Sequence, residues 1–191
     1  MLYPYISQFN WIDIIIIICI VRMCYVGLKT GVGVEIFKTL GLLFCAFIAL
    51  HFYIIIGSFL NSKMPPLPVE PASIFCYVVL VTIVTLLFRI LREGFFAIVK
   101  SETISLLSKW LGLFLGFLRG ILVSGFMLYG LLISTNHYCD LSVRTSYFGL
   151  KAAAVPIKIY EGVYNGAISK IFPDQPFNSE PIRVLESTPK A

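Results

Sequence analysis

Long, nearly unbroken apolar runs separated by short clusters of charge, glycine and proline set the rhythm of this chain. The first, centred on Ile14 to Val21, extends over residues 10–27, about 18 positions or roughly 27 Å of helix, close to the thickness of a hydrocarbon layer. Others cover 34–55, 72–91 and 110–134. The runs are continuous rather than alternating, which favours helices over a β-barrel. The pattern predicts an all-α integral membrane protein with four transmembrane helices. Gly27 to Gly33 reads as the tight turn of a first helical hairpin. The second run stays apolar to Leu60, longer than one bilayer needs, so it is expected to tilt, break or bend near Gly57. Pro65, Pro66, Pro68 and Pro71 then predict a stiff extended connector.

Between the third and fourth runs, Leu91, Phe95, Val99 and Leu106 fall opposite Lys100 and Glu102. Residues 93–108 are therefore expected to form an amphipathic helix along the headgroups. Residues 147–172, moderately apolar with Lys151, Lys158 and Lys170, read as an interfacial helical region interrupted at Pro156. Residues 173–191, polar and with four prolines, read as a disordered tail after a single membrane domain over 1–172.

Composition sharpens the class. The 191 residues are 58% hydrophobic and 13% charged, about half the roughly 25% charge of soluble domains, and mean hydropathy is +0.89. No water-soluble packing of this length hides so much apolar surface. The net charge of +5 sits mainly at helix ends and in the tail, which suits topology and lipid headgroups, not nucleic acid. Lys and Arg concentrate in two connections, Arg22, Lys29 and Lys38 in one and Arg89, Arg92, Lys100 and Lys109 in the other. These are expected on the cytoplasmic side, with both termini on the periplasmic side; Lys151 and Lys158 pull weakly the other way. Residues 1–10 carry no side-chain charge, so the first run lacks a signal peptide's basic start and reads as a retained helix. Cys19, Cys24, Cys45 and Cys76 read as small packers within spans, and with Cys139 form no metal or disulfide spacing.

The most informative local feature is Gly112-x-x-x-Gly116-x-x-x-Gly120. Glycines four apart share a helix face and let another backbone come close. The natural partner is the first hairpin, where Gly27 and Gly31 repeat the spacing. Arg119 beside that stripe costs about 3 kcal/mol in hydrocarbon unless it snorkels or finds a partner, and by depth Glu35 is the nearest carboxylate. Asp13 and Arg22 complete the charges in or beside spans. With no broken helix pair and no internal repeat, these four read as structural rather than as a transport path. His51-Phe-Tyr53 reads as an interface marker. HExxH, GxSxG, Walker and CxxC motifs are absent, His51 and His137 lie on different elements, and Ser124 and Ser134 have no evident base. The expectation is a protein that is not an enzyme, with no catalytic, cofactor or metal residues.

Taken together, Asn10-Trp-Ile-Asp13, an apolar helix, Gly27-x-x-x-Gly31-x-x-x-Glu35, Gly41 and Ala49-x-x-Phe52 resemble the first hairpin of the colicin V production protein (CvpA) family. Lys109-x-x-Gly112-x-x-x-Gly116-x-x-Arg119-Gly120 resembles its fourth helix. The resemblance covers residues 10 to 134, with a looser likeness to about 172. Where the family usually has an acidic–basic pair before the first of these glycines, this chain has Ser108-Lys109. The resemblance implies a four-helix bacterial inner-membrane protein linked to toxin production or export and to envelope homeostasis, with no family reaction or cofactor. Two mechanisms stay open: a helical scaffold joining other membrane proteins or copies of itself, or a small oligomeric channel or transporter.

Overall fold

The computed structural model describes residues 9–63, 69–98, 106–134, 136–171 and 176–187. Among these, the ordered elements are all helical: α1 (Trp11–Lys63), α2 (Val69–Ile98), α3 (Leu106–Ile133), α4 (His137–Thr145), α5 (Gly149–Val163), a π-helical turn (Tyr164–Ile168), α6 (Ser169–Ile171) and α7 (Glu180–Glu186). Three of them, α1, α2 and α3, contain stretches long and apolar enough to cross a membrane.

The 53 residues of α1 would span roughly 80 Å if straight, but the helix is interrupted at Gly31, whose φ of 75° and ψ of 170° belong to a region open essentially to glycine. The first arm runs antiparallel to α3: Gly27 meets Gly112, Met23 meets Gly116, and Ile20 meets Gly120. The second arm runs the other way along the same helix, with Glu35 against Arg119 and Tyr53 against Tyr129. The two arms are therefore a hairpin, and the turn is one residue rather than the seven of Gly27–Gly33. Gly27 is a packing residue, not part of the bend. Just past the break, the Val32 N–H, orphaned at the start of a helix, donates to Ser108 Oγ at 3.0 Å.

Helix α2 packs antiparallel on the second arm, with Phe88 at Gly41 and Ser73 at Gly57. Gly57 does not bend the helix, which stays continuous to Lys63; its missing side chain instead admits Ser73. The outer face of α2, including Phe75, Ile83, Leu87 and Ile90, is exposed, an apolar surface suited to lipid. Between the second arm, α2 and α3, three phenols are satisfied inside the core. Tyr53 and Tyr129 share a hydroxyl hydrogen bond of 2.7 Å, and Tyr77 donates to the Phe126 carbonyl at 2.9 Å.

Three further expectations need correction. Residues 93–98 prolong α2 and residues 106–108 open α3, so the two ends of the expected headgroup helix at 93–108 belong to the long helices; residues 99–105 lie outside the described residues. Pro156 does not interrupt the helix over 147–172: α5 continues through it, with Ala152, Ala153, Pro156, Ile157 and Tyr160 buried against the bundle. Proline leaves the carbonyl four residues back without its donor, and the Ala152 carbonyl faces Gly125, where a Cβ would lie 2.5 Å away. Gly125 thus makes room for both the proline ring and the freed carbonyl. Finally, the expected structureless tail contains α7. Arg144 holds its C-terminal end by donating to the carbonyls of Val184 at 2.9 Å and Ser187 at 2.5 Å. Residues 172–175 and 188–191 lie outside the described residues.

Candidate functional site

Where α3 crosses the first arm, the contact is backbone against backbone. A Cβ on Gly27 would overlap the Gly112 carbonyl, and one on Gly112 would overlap that of Gly27. A Cβ on Gly116 would lie 2.5 Å from the Met23 carbonyl, and one on Gly120 would lie 2.8 Å from Ile20 Cα. Without a hydrophobic force between helices in hydrocarbon, such close packing and its Cα–H···O contacts supply the attraction. Gly31 is buried beside this seam.

One turn beyond the Gly31 break the second arm brings Glu35 to the same place. Its side chain is fully buried. One carboxylate oxygen meets the Arg119 guanidinium; the other accepts from Lys38 Nζ at 2.6 Å and from Thr30 Oγ1 at 2.6 Å. Arg119 also reaches Met23 Sδ at 3.4 Å. The pair therefore ties α3 to the second arm, while Thr30 links Glu35 across the break to the first arm. A buried ion pair holds only when its remaining lone pairs and protons are satisfied, and Lys38 and Thr30 do part of that. From the sequence alone Lys38 counts only as a topology charge. Its position three residues after Glu35, on the same helix face, was the available signal.

Beside this centre opens a cleft of about 750 Å³, lined by Arg22, Lys38, Arg89, Arg92 and Arg119. Arg22, Glu35 and Arg119 are thus gathered at one end of the bundle. Asp13 is not among them: it lies ten residues before Met23, roughly 15 Å along the first arm.

Asp13 works at the other end. At the start of α1 the Asn10 side chain accepts from the Trp11 N–H at 2.6 Å, and Asp13 reaches back to the Asn10 N–H at 2.9 Å, the return half of a capping box. The same carboxylate, fully buried, accepts from the N–H groups of Tyr147 at 3.2 Å and Phe148 at 2.8 Å. It therefore neutralises the start of α5 as well, where the helix dipole favours an anion. Asp13 is a joint between the first arm and the C-terminal helices, a role visible in Asn-x-x-Asp only as the cap.

His51 is buried rather than at an interface. Its Nδ1 lies 3.1 Å from the Tyr160 hydroxyl, its ring stacks on Phe47, and Tyr160 accepts from the Asn178 N–H at 3.0 Å. Burial pushes the Tyr160 phenol above its usual range, only partly offset by that N–H. Asn178 Nδ2 donates to the Leu50 carbonyl at 2.7 Å, so His51, Tyr160 and Asn178 dock the segment before α7. The pair Asp140–Arg144, at 2.8 Å, secures its far side; its i, i+4 spacing was the sequence signal. Among the described residues no three of His, Cys, Asp or Glu come together as a metal group, and all five cysteines are unpaired.

These features define an all-helical, membrane-type protein whose long helices are joined by a glycine seam and a buried ion pair. The family model described as colicin V production protein matches residues 12–149, and the chain belongs to that family. No curated protein and no solved structure matches it. The match takes in the hairpin, α2, α3 and α4, and it ends at Gly149, where Asp13 meets the start of α5.

Proposed function

We propose that the protein is a bacterial inner-membrane scaffold or accessory subunit of the colicin V production type, not an enzyme. It crosses the bilayer four times, the two arms of α1 counting separately, and places both termini in the periplasm. In this reading it acts in toxin production or export and in envelope homeostasis, by joining other membrane proteins or further copies of itself. It binds lipid along its outer faces and takes no cofactor and no nucleic acid.

The observation that carries the reading is the packed seam. Gly27, Gly112, Gly116 and Gly120 bring backbones into contact where a conducting path would need room. Glu35 spends both carboxylate oxygens on Arg119, Lys38 and Thr30, and Asp13 is sealed beneath α5. A path through the chain would need Arg119 and Asp13 to face one aqueous cavity. The rival reading, a small oligomeric channel or transporter, draws on the cleft at Arg119.

The two separate in a purified system. Extracted in native lipid discs, the scaffold gives a defined assembly whose members cross-link to it, and the purified chain alone in proteoliposomes passes ions no faster than empty vesicles. Flux that scales with the protein, from a homo-oligomer with no other subunit, would replace the scaffold with the channel.

A further inference from the structure

The cleft at Arg119 differs from an ordinary rim of cytoplasmic-side charges. Residues that merely set topology stand out into the headgroups; here three of the cations are drawn inward. The side chains of Lys38, Arg92 and Arg119 are 18%, 22% and 6% exposed. Among the described residues, two carboxylates face the group. Glu35 lies between Lys38 and Arg119, and Glu93 accepts from Arg89 at 2.9 Å and Arg92 at 3.4 Å. Arg22 has no acidic partner among the described residues. Five cations against two carboxylates leave a formal excess of three positive charges around one concavity.

Apart from Thr85, the remaining walls are apolar. Leu42, Phe88 and Val123 line the cleft between the second arm, α2 and α3. Its volume falls within the range of about 300–1,000 Å³ common for small-molecule sites. Guanidinium forks match phosphate oxygens in geometry as well as charge. Cations together with aliphatic and aromatic walls suit an amphiphile that carries phosphate.

We propose that this cleft binds the phosphate of an anionic phospholipid, with Arg22, Arg89 and Arg92 as its primary contacts and Phe88 and Val123 against its apolar part. Arg119, held by Glu35, lines the cleft beside them. The site stands whether or not the scaffold reading holds, because it needs only this chain and a membrane.

The test uses the full chain in a neutral detergent, with phosphatidylglycerol and phosphatidylcholine offered at equal concentration and bound lipid read by native mass spectrometry. Arg22→Gln/Arg89→Gln removes two exposed cations outside the Glu35 cluster and should leave the melting temperature unchanged. Phosphatidylglycerol should bind preferentially to the natural chain and about tenfold or more weakly to this variant. Arg183→Gln/Lys170→Gln, which removes the same charge from exposed positions away from the cleft, should bind as the natural chain does. Inorganic phosphate is the competing probe: if millimolar phosphate displaces the lipid, the site reads phosphate itself; if it does not, the apolar walls contribute and the ligand is the lipid. Equal retention of both lipids, or undiminished phosphatidylglycerol binding in the folded Arg22→Gln/Arg89→Gln variant, would overturn the proposal.

Discussion

Gly116→Leu should remove most of the folded protein from the membrane. Position 116 faces the Met23 carbonyl and the Cys24 Cα, so the added side chain meets main chain that has no rotamer to change. Overpacking a core costs about 1–3 kcal/mol when side chains can shift, and a seam of backbone on backbone belongs at or above the top of that range. The control lies in the same molecule. Gly94 has nothing within 4 Å of where its Cβ would be, so Gly94→Leu should leave expression and melting close to the natural chain. The measurement is the monodisperse fraction after detergent extraction, followed by a thermal ramp. Equal behaviour of the two variants would mean the seam does not hold the helices together.

Arg119→Leu should be comparably damaging for a different reason. It leaves Glu35 fully buried with Lys38 as its one remaining ion-pair partner among the described residues. Removing one partner of a buried pair costs about 3–5 kcal/mol, whereas replacing both can be close to neutral. Glu35→Gln should therefore destabilise on its own, and Glu35→Gln/Arg119→Gln should be milder than the sum of the single changes, the signature of direct coupling. Arg119→Lys keeps the charge but loses the fork, and should fall between the natural chain and Arg119→Leu. Additive effects in the cycle would show that the two groups do not stabilise one another. An Arg119→Leu protein that melts normally yet no longer supports the proposed function would move Arg119 from structure to transport.

Much of this architecture was legible because a bilayer imposes strong constraints on sequence. Hydropathy marks the long helices, and glycines four apart announce a close helix contact. The seam of Gly112, Gly116 and Gly120 meets the first arm, and depth alone pointed Arg119 toward Glu35. What stayed hidden depends on groups distant in sequence. Nothing near Asp13 says that it caps a helix starting at Gly149, or that His51 and Tyr160 hold the segment at Asn178. Pro156 looked like a break because local rules see only the lost hydrogen bond, while the compensating space is at Gly125 on another helix. The cationic cleft was hidden similarly. Arg22, Lys38, Arg89 and Arg92 were separate topology charges until the one-residue turn at Gly31 set the two arms side by side and α2 packed on the second.

That turn carries the account, and its consequence is a topology that labelling can read. In a background with the five native cysteines replaced, single cysteines at Lys29 and at Ser62 occupy exposed positions on the two arms of α1. If the arms cross the bilayer in opposite directions with the cationic end in the cytoplasm, a membrane-impermeant maleimide applied to intact cells with a permeable outer membrane should label the Ser62 site and spare the Lys29 site. Lysis should then expose the Lys29 site. Labelling of both sites from outside, or of Lys29 alone, would contradict the account.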